Sequence, residues 1–126
     1  MKFDPNGGET IVQETTSYVP GYNDMRGGSQ VIKYKDGYLT IIHETDLYDS
    51  VQGRKNGTYR HRFVYWNHDF TEQKFSKLFS FLNMKIEFCC GLTKYKNDYL
   101  ITFGASDNAA YILKISESFL EDFINE

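Results

Sequence analysis

The sequence predicts an all-β protein: antiparallel β-propeller-type blades, about two of them and so a truncated propeller, closed by a short C-terminal helix. Three observations carry this. Residues 31–42 return as residues 92–103, with Tyr34 and Tyr38 reappearing as Tyr95 and Tyr99 at a constant spacing of 61 residues, so one supersecondary unit is used twice. Each copy has hairpin chemistry, an apolar-rich run, a polar turn at Lys35-Asp36-Gly37 or Lys96-Asn97-Asp98, then aromatic and β-branched residues. A third such run follows each copy, at 59–66 and at 109–115, and strand, hairpin and strand repeated make small sheets that pack face to face, as propeller blades do.

Taken in order, residues 1–26 read as loop enclosing one short strand at 10–14, because Gly7-Gly8, Pro20-Gly21 and Asn23-Asp24 are turn formers; Arg26-Gly27-Gly28 ends it. A first blade unit spans 27–67, with hairpin strands at 29–34 and 38–45, a polar segment at 46–57 without apolar periodicity, expected as a surface loop, and a strand at 59–67. A connector at 68–85 follows, where Phe75, Phe79 and Phe81 leave strand and turn both open. The second unit, 86–115, holds strands at 86–95, 99–105 and 109–115. Residues 116–125 form an amphipathic helix: Ser116 is a cap, acids occupy the first turn, and Phe119, Leu120, Phe123 and Ile124 make one apolar side. All of this belongs to one domain, 1–126.

A chain of 126 residues can bury roughly two-thirds of the surface its unfolded form exposes. Ten Tyr and ten Phe beside two Pro suit pleated, half-buried surfaces. The net charge of −3, with both signs interspersed, argues against nucleic acid and against a membrane surface as partner. No stretch has the apolar length of a secretory signal or a membrane span, so the expectation is a soluble, cytoplasmic protein. Cys89 and Cys90 are adjacent, which cannot staple distant segments; they read as buried, reduced thiols, with no metal and no cofactor implied.

Antiparallel neighbours reverse direction, so the start of each unit's first strand, the end of its second and the start of its third share one rim. That rim collects Arg26, Ser29, Gln30, His43, Glu44, Arg60, His61, Glu87, Ser106, Asp107 and Asn108. The other rim carries ordinary turns. Carboxylates, imidazoles and guanidinium forks on one rim suit a sugar or a sugar phosphate, with Arg26, Gln30, His43, Arg60 and His61 as ligand-binding candidates. Glu44, Glu87 and Asp107 are the catalytic candidates, since glycoside hydrolysis needs a carboxyl pair roughly 5–10 Å apart.

Plainer roles compete at each position. Glu87, between Ile86 and Phe88, also suits a half-buried structural pair with Arg60 or Arg62. His43 and His61 suit a scaffold, Asp107 suits a turn, and a metal site from His43, His61 and Glu44 lacks diagnostic spacing.

Arg26-Gly27-Gly28-Ser29-Gln30, His43-Glu44, Tyr59-Arg60-His61-Arg62-Phe63, Ile86-Glu87-Phe88-Cys89-Cys90-Gly91-Leu92 and Gly104-Ala105-Ser106-Asp107 also carry a resemblance. In that order they resemble blades of the five-bladed propellers related to mannoside phosphorylases and other glycosidases, segments also found attached to bacterial glycosyltransferases. The resemblance covers 26–115 and implies that Glu87 and Asp107 lie around a sugar site. It departs in blade number, since the clan's catalytic acid belongs to a blade with no counterpart here. Two blades leave faces and edges that a soluble protein must cover, which predicts a homo-oligomer, dimer or trimer, closing a ring. The function expected is a truncated glycosidase-like propeller that binds, or formerly processed, a glycan or sugar phosphate. The alternative is a non-catalytic structural or interaction protein that self-assembles through its blades.

Overall fold

Two tight turns at equivalent places organise the chain. Tyr34 pairs with Gly37 across the first and Tyr95 with Asp98 across the second. The positive backbone angle sits on the first turn residue in both, φ 53° at Lys35 and φ 56° at Lys96. Asp36-Gly37 and Asn97-Asp98 are the residue types that tolerate this angle more readily. Gly37 is needed for another reason: a Cβ there would run into the Trp66 carbonyl oxygen.

The computed structural model describes residues 24–49, 55–84, 86–106 and 108–126; the strand expected at 10–14 and Asp107 lie outside them. The elements are β1 (Asp24–Arg26), β2 (Ile32–Tyr34), β3 (Gly37–Asp49), β4 (Lys55–Trp66), β5 (Gln73–Phe75), β6 (Glu87–Tyr95), β7 (Asp98–Ala105), β8 (Ala109–Ser116) and α1 (Glu117–Ile124). Every pairing is antiparallel. The first sheet runs β1-β3-β4-β5 with β2 also on β3, and the second runs β6-β7-β8. The described part is therefore mostly β with one short helix, and neither sheet closes on itself.

Several boundaries differ from expectation. Residues 46–57 are not one loop: β3 and β4 stay paired out to Asp49 opposite Lys55. A regular ladder needs only backbone groups, so polar side chains there do not prevent it. The first hairpin strand is broken, since β1 and β2 both lie on β3 and residues 27–31 cross between them. Ser29 holds the break, its N–H donating to the Ile41 carbonyl while its hydroxyl accepts from the Ile41 N–H at 2.8 Å. The second copy is irregular at the same place, where β6 slips register between Cys89 and Gly91. In the connector, β5 pairs with β4, and Phe79 bridges His61 farther along the same edge.

Each sheet contributes one side to a single core: Tyr34, Leu39, Ile41 and Phe63 from the first, Cys89, Leu92, Tyr99 and Ile101 from the second. Leu120 and Ile124 of α1 join them. The helix starts where expected, with the Ser116 hydroxyl accepting the Phe119 N–H at 3.1 Å. Fully burying a side chain such as Leu39 or Ile101 is worth roughly 1.5–3 kcal/mol, so this core supplies most of the favourable free energy. Cys89 is buried and Cys90 exposed, so only one of the two thiols is the core residue expected of both. Burial pushes the Cys89 thiol up to about 12.

The two copies do not meet by equivalent faces. Tyr34 packs on Tyr99, ring centroids 5.9 Å apart. At the spacing of the repeat, the counterpart of Tyr34 is Tyr95, which lies on the far side of the second sheet and is 50% exposed. The counterparts of Leu92 and Tyr99 are Val31, 52% exposed, and the half-buried Tyr38. The front of the first copy thus packs against the back of the second.

Candidate functional site

Along the inner face of β3 and β4 the facing pairs are Leu39 with Tyr65, Ile41 with Phe63, His43 with His61 and Thr45 with Tyr59. Side chains two apart share a face, so this ladder is apolar at the turn end and polar at the other. Opposite the polar end stands Glu87 at the start of β6. The sequence-predicted residues His43, His61 and Glu87 therefore do converge, but inside the fold: they are 3%, 0% and 0% exposed.

Glu87 is engaged by the backbone. One carboxylate oxygen accepts the Phe81 N–H at 2.7 Å; the other accepts Leu82 at 2.6 Å and Met84 at 3.2 Å. The carboxylate thereby holds the 81–84 turn, in which Asn83 adopts φ 57°. Neither Arg60 nor Arg62, the partners weighed from sequence, supplies this satisfaction.

His61 Nε2 stands 3.7 Å from Glu87 Oε1, and neither ring nitrogen has a hydrogen-bond partner. Its ring lies against Phe81, centroids 4.5 Å apart, and Phe79. Desolvation pushes its pKa down to about 4; Glu87 opposes the shift and His43 adds to it. His43 is also lowered, by burial first and then by Arg26, against a backbone hydrogen bond with Gly27. His43 Nδ1 and Thr45 Oγ1 are buried without partners as well.

Glu44 points to the opposite face of β3, because it alternates with His43 and Thr45. There its Oε1 accepts from Arg62 Nε at 2.6 Å, with side chains 4% and 13% exposed, and Arg62 Nη1 also reaches the Ser76 carbonyl at 2.7 Å. The β3 backbone consequently separates Glu44 from Glu87, and the two do not flank a common space. Gln30 is a clip between the sheets: its amide donates to the Leu92 carbonyl at 2.6 Å and accepts the Leu92 N–H at 3.2 Å. Arg26, in β1, and Arg60, in β4, are exposed.

Arg60 does border an open space. A groove of about 200 Å³ is lined by Thr58, Tyr59, Arg60, Ser80, Asn83 and Met84, five of them bearing hydrogen-bonding groups. Its floor includes the turn that Glu87 holds. Sequence reading missed Ser80 and Asn83; the available signal was an Asn between Leu82 and Met84, a residue type that tolerates left-handed backbone in turns. Among the described residues no cluster of three His, Cys, Asp or Glu is placed to hold a metal ion. No helix among them is long and apolar enough to cross a membrane.

No protein-family model, no curated protein and no solved structure matches this chain.

Proposed function

We propose that the chain is a non-catalytic, blade-type assembly module, two sheets of a propeller-like stack whose role is association. The observation carrying this reading is the face-to-back packing of the two copies, which leaves the outer face of the second sheet, with Tyr95 and Ile112, exposed. The engagement of the carboxylates supports the non-catalytic part. Glu87 is fully buried and accepts three backbone N–H groups, and Glu44 is buried and held by Arg62, so neither is placed to transfer a proton to a ligand.

A second reading is favoured by the groove beside Arg60. A guanidinium fork, the Asn83 amide, the Thr58 and Ser80 hydroxyls and the Tyr59 phenol suit a sugar or sugar phosphate, bound and not processed. Light scattering and a thermal-shift panel of mannose, mannose phosphates and inorganic phosphate separate the readings. Association with silence across the panel is the outcome expected of an assembly module. Saturable stabilisation by a sugar phosphate, lost in Arg60→Ala, would make the groove the functional site.

A further inference from the structure

We propose that the edge of β8, with the apolar groove beside it, is a docking site for an extended segment of a partner protein, which adds to the second sheet as an antiparallel strand and places one large apolar side chain in the groove. The inference does not depend on self-association. The first sheet shows what such an edge takes. β4 and β8 are the third strands of their units, and the outer edge of β4 is covered from within the chain. Residues 73–79 run antiparallel along it: β5 pairs with Val64, Tyr65 and Trp66, Ser76 donates its N–H to the Phe63 carbonyl at 2.9 Å, and Phe79 exchanges backbone hydrogen bonds of 2.8 and 2.9 Å with His61. After β8 the chain turns instead into α1, so among the described residues β8 pairs with β7 alone.

The edge suits such a segment. Every second residue of β8 turns its N–H and C=O away from β7, a row of groups able to pair with another strand. Proline and repeated charge blunt an edge, but β8 has no proline and one charge, Lys114, while Tyr111, Ile112 and Leu113 are 44%, 71% and 38% exposed. Leu113 and Ile115 lie opposite Ile101 and Tyr99, on the side of the sheet that faces the core. There they form one wall of a groove of about 220 Å³, completed by Phe79 and Phe81 of the connector and Phe119 and Phe123 of α1. An apolar cavity of about 150 Å³ is enough for a benzene ring, so this groove has room for an aromatic side chain. Side chains alternate along a strand, so a segment added to β8 sends every second one towards the groove while its backbone extends the ladder.

The probe is a synthetic peptide of residues 73–81, the stretch that covers β4, added to the isotope-labelled whole chain. Amide shifts should saturate with a Kd on the order of 100 μM, because an extended peptide gives up conformational freedom on binding, and should be confined to β8 and the lining of the groove. Of two peptides N-methylated at alternate residues, one for each edge, one should bind roughly tenfold more weakly and the other as before, since a ladder uses one edge of the peptide. Phe119→Ala, at a position 57% exposed, should weaken binding with an unchanged circular dichroism spectrum. Shifts along β4 would mean exchange with the chain's own residues 73–79 and would overturn the site. So would the lack of saturation by roughly 1 mM, or binding that neither methylation diminishes. Protection of every β8 amide from exchange before peptide is added, in place of alternate ones, would mean that residues 1–23 or a second copy holds the edge, and would overturn a foreign partner.

Discussion

The His61 imidazole and the Glu87 carboxylate face each other across the two sheets, Nε2 3.7 Å from Oε1, with neither side chain exposed. The separation exceeds a hydrogen bond, and the ring is otherwise surrounded by Phe79 and Phe81. It is a neutral histidine held in an apolar setting beside a carboxylate that is satisfied elsewhere.

Acid should therefore weaken the fold through His61. Its folded pKa, about 4, lies below its value of 6.5 in an open chain. Between those two pH values the unfolded state binds the proton and the folded state does not, so stability is complete above 6.5 and falls as pH drops towards 4. The full loss is roughly 3 kcal/mol, and His43, lowered for the same first reason, acts in the same direction. Urea midpoints measured from pH 7 to pH 4 should slope downwards, and His61→Phe should flatten that slope. An unchanged slope in the variant would contradict the assignment.

Glu87 is expected to matter for stability before it matters for any ligand. Glu87→Ala leaves the Phe81, Leu82 and Met84 N–H groups without their acceptor, at a cost on the order of 3–5 kcal/mol. Glu87→Gln keeps one oxygen but turns an NH₂ towards the donors, and should fall between wild type and alanine. Chemical denaturation reads both. A catalytic carboxylate free of structural duty would leave the midpoint of Glu87→Gln in place.

The Arg62–Glu44 pair offers a double-mutant cycle. Removing either partner alone leaves a charge at a nearly closed site, with an expected loss of about 3–5 kcal/mol. Replacing both, as Glu44→Gln with Arg62→Met, should recover much of it, because no ion is then left uncompensated. Equal and additive losses would show that the two side chains act independently.

These residues also mark where sequence was informative and where it was not. The repeat, the hairpins and the Ser116 cap were legible because each depends on neighbours in sequence: turn residues, alternation and a hydroxyl three residues before an N–H. His43, His61 and Glu87 were legible as residues brought to one end of the sheets, since antiparallel strands fix which ends coincide. Their depth was not, because it depends on how two sheets stack, and the stacking is front to back. Nor was the partner of Arg62. Glu44 and Arg62 meet diagonally across β3 and β4, a relation set by strand register, which residue types alone do not fix.

Gln30 tests the joint between the sheets. Its amide both donates to and accepts from Leu92, the work of a backbone pair done by one side chain from the other repeat. Gln30→Ala should cost about 1–3 kcal/mol, because the partly buried Leu92 groups lose their partner. Gln30→Glu is the sharper variant: a carboxylate still accepts from the Leu92 N–H but sets a negative oxygen against the Leu92 carbonyl, where the amide had placed a donor. At neutral pH it should be at least as unstable as alanine, and part of the loss should return as the new carboxyl protonates in mild acid, against the downward trend that His61 imposes. Amide hydrogen exchange at Leu92 checks the location, with protection lowered in both variants while Ile101, on the neighbouring strand, stays protected until global unfolding.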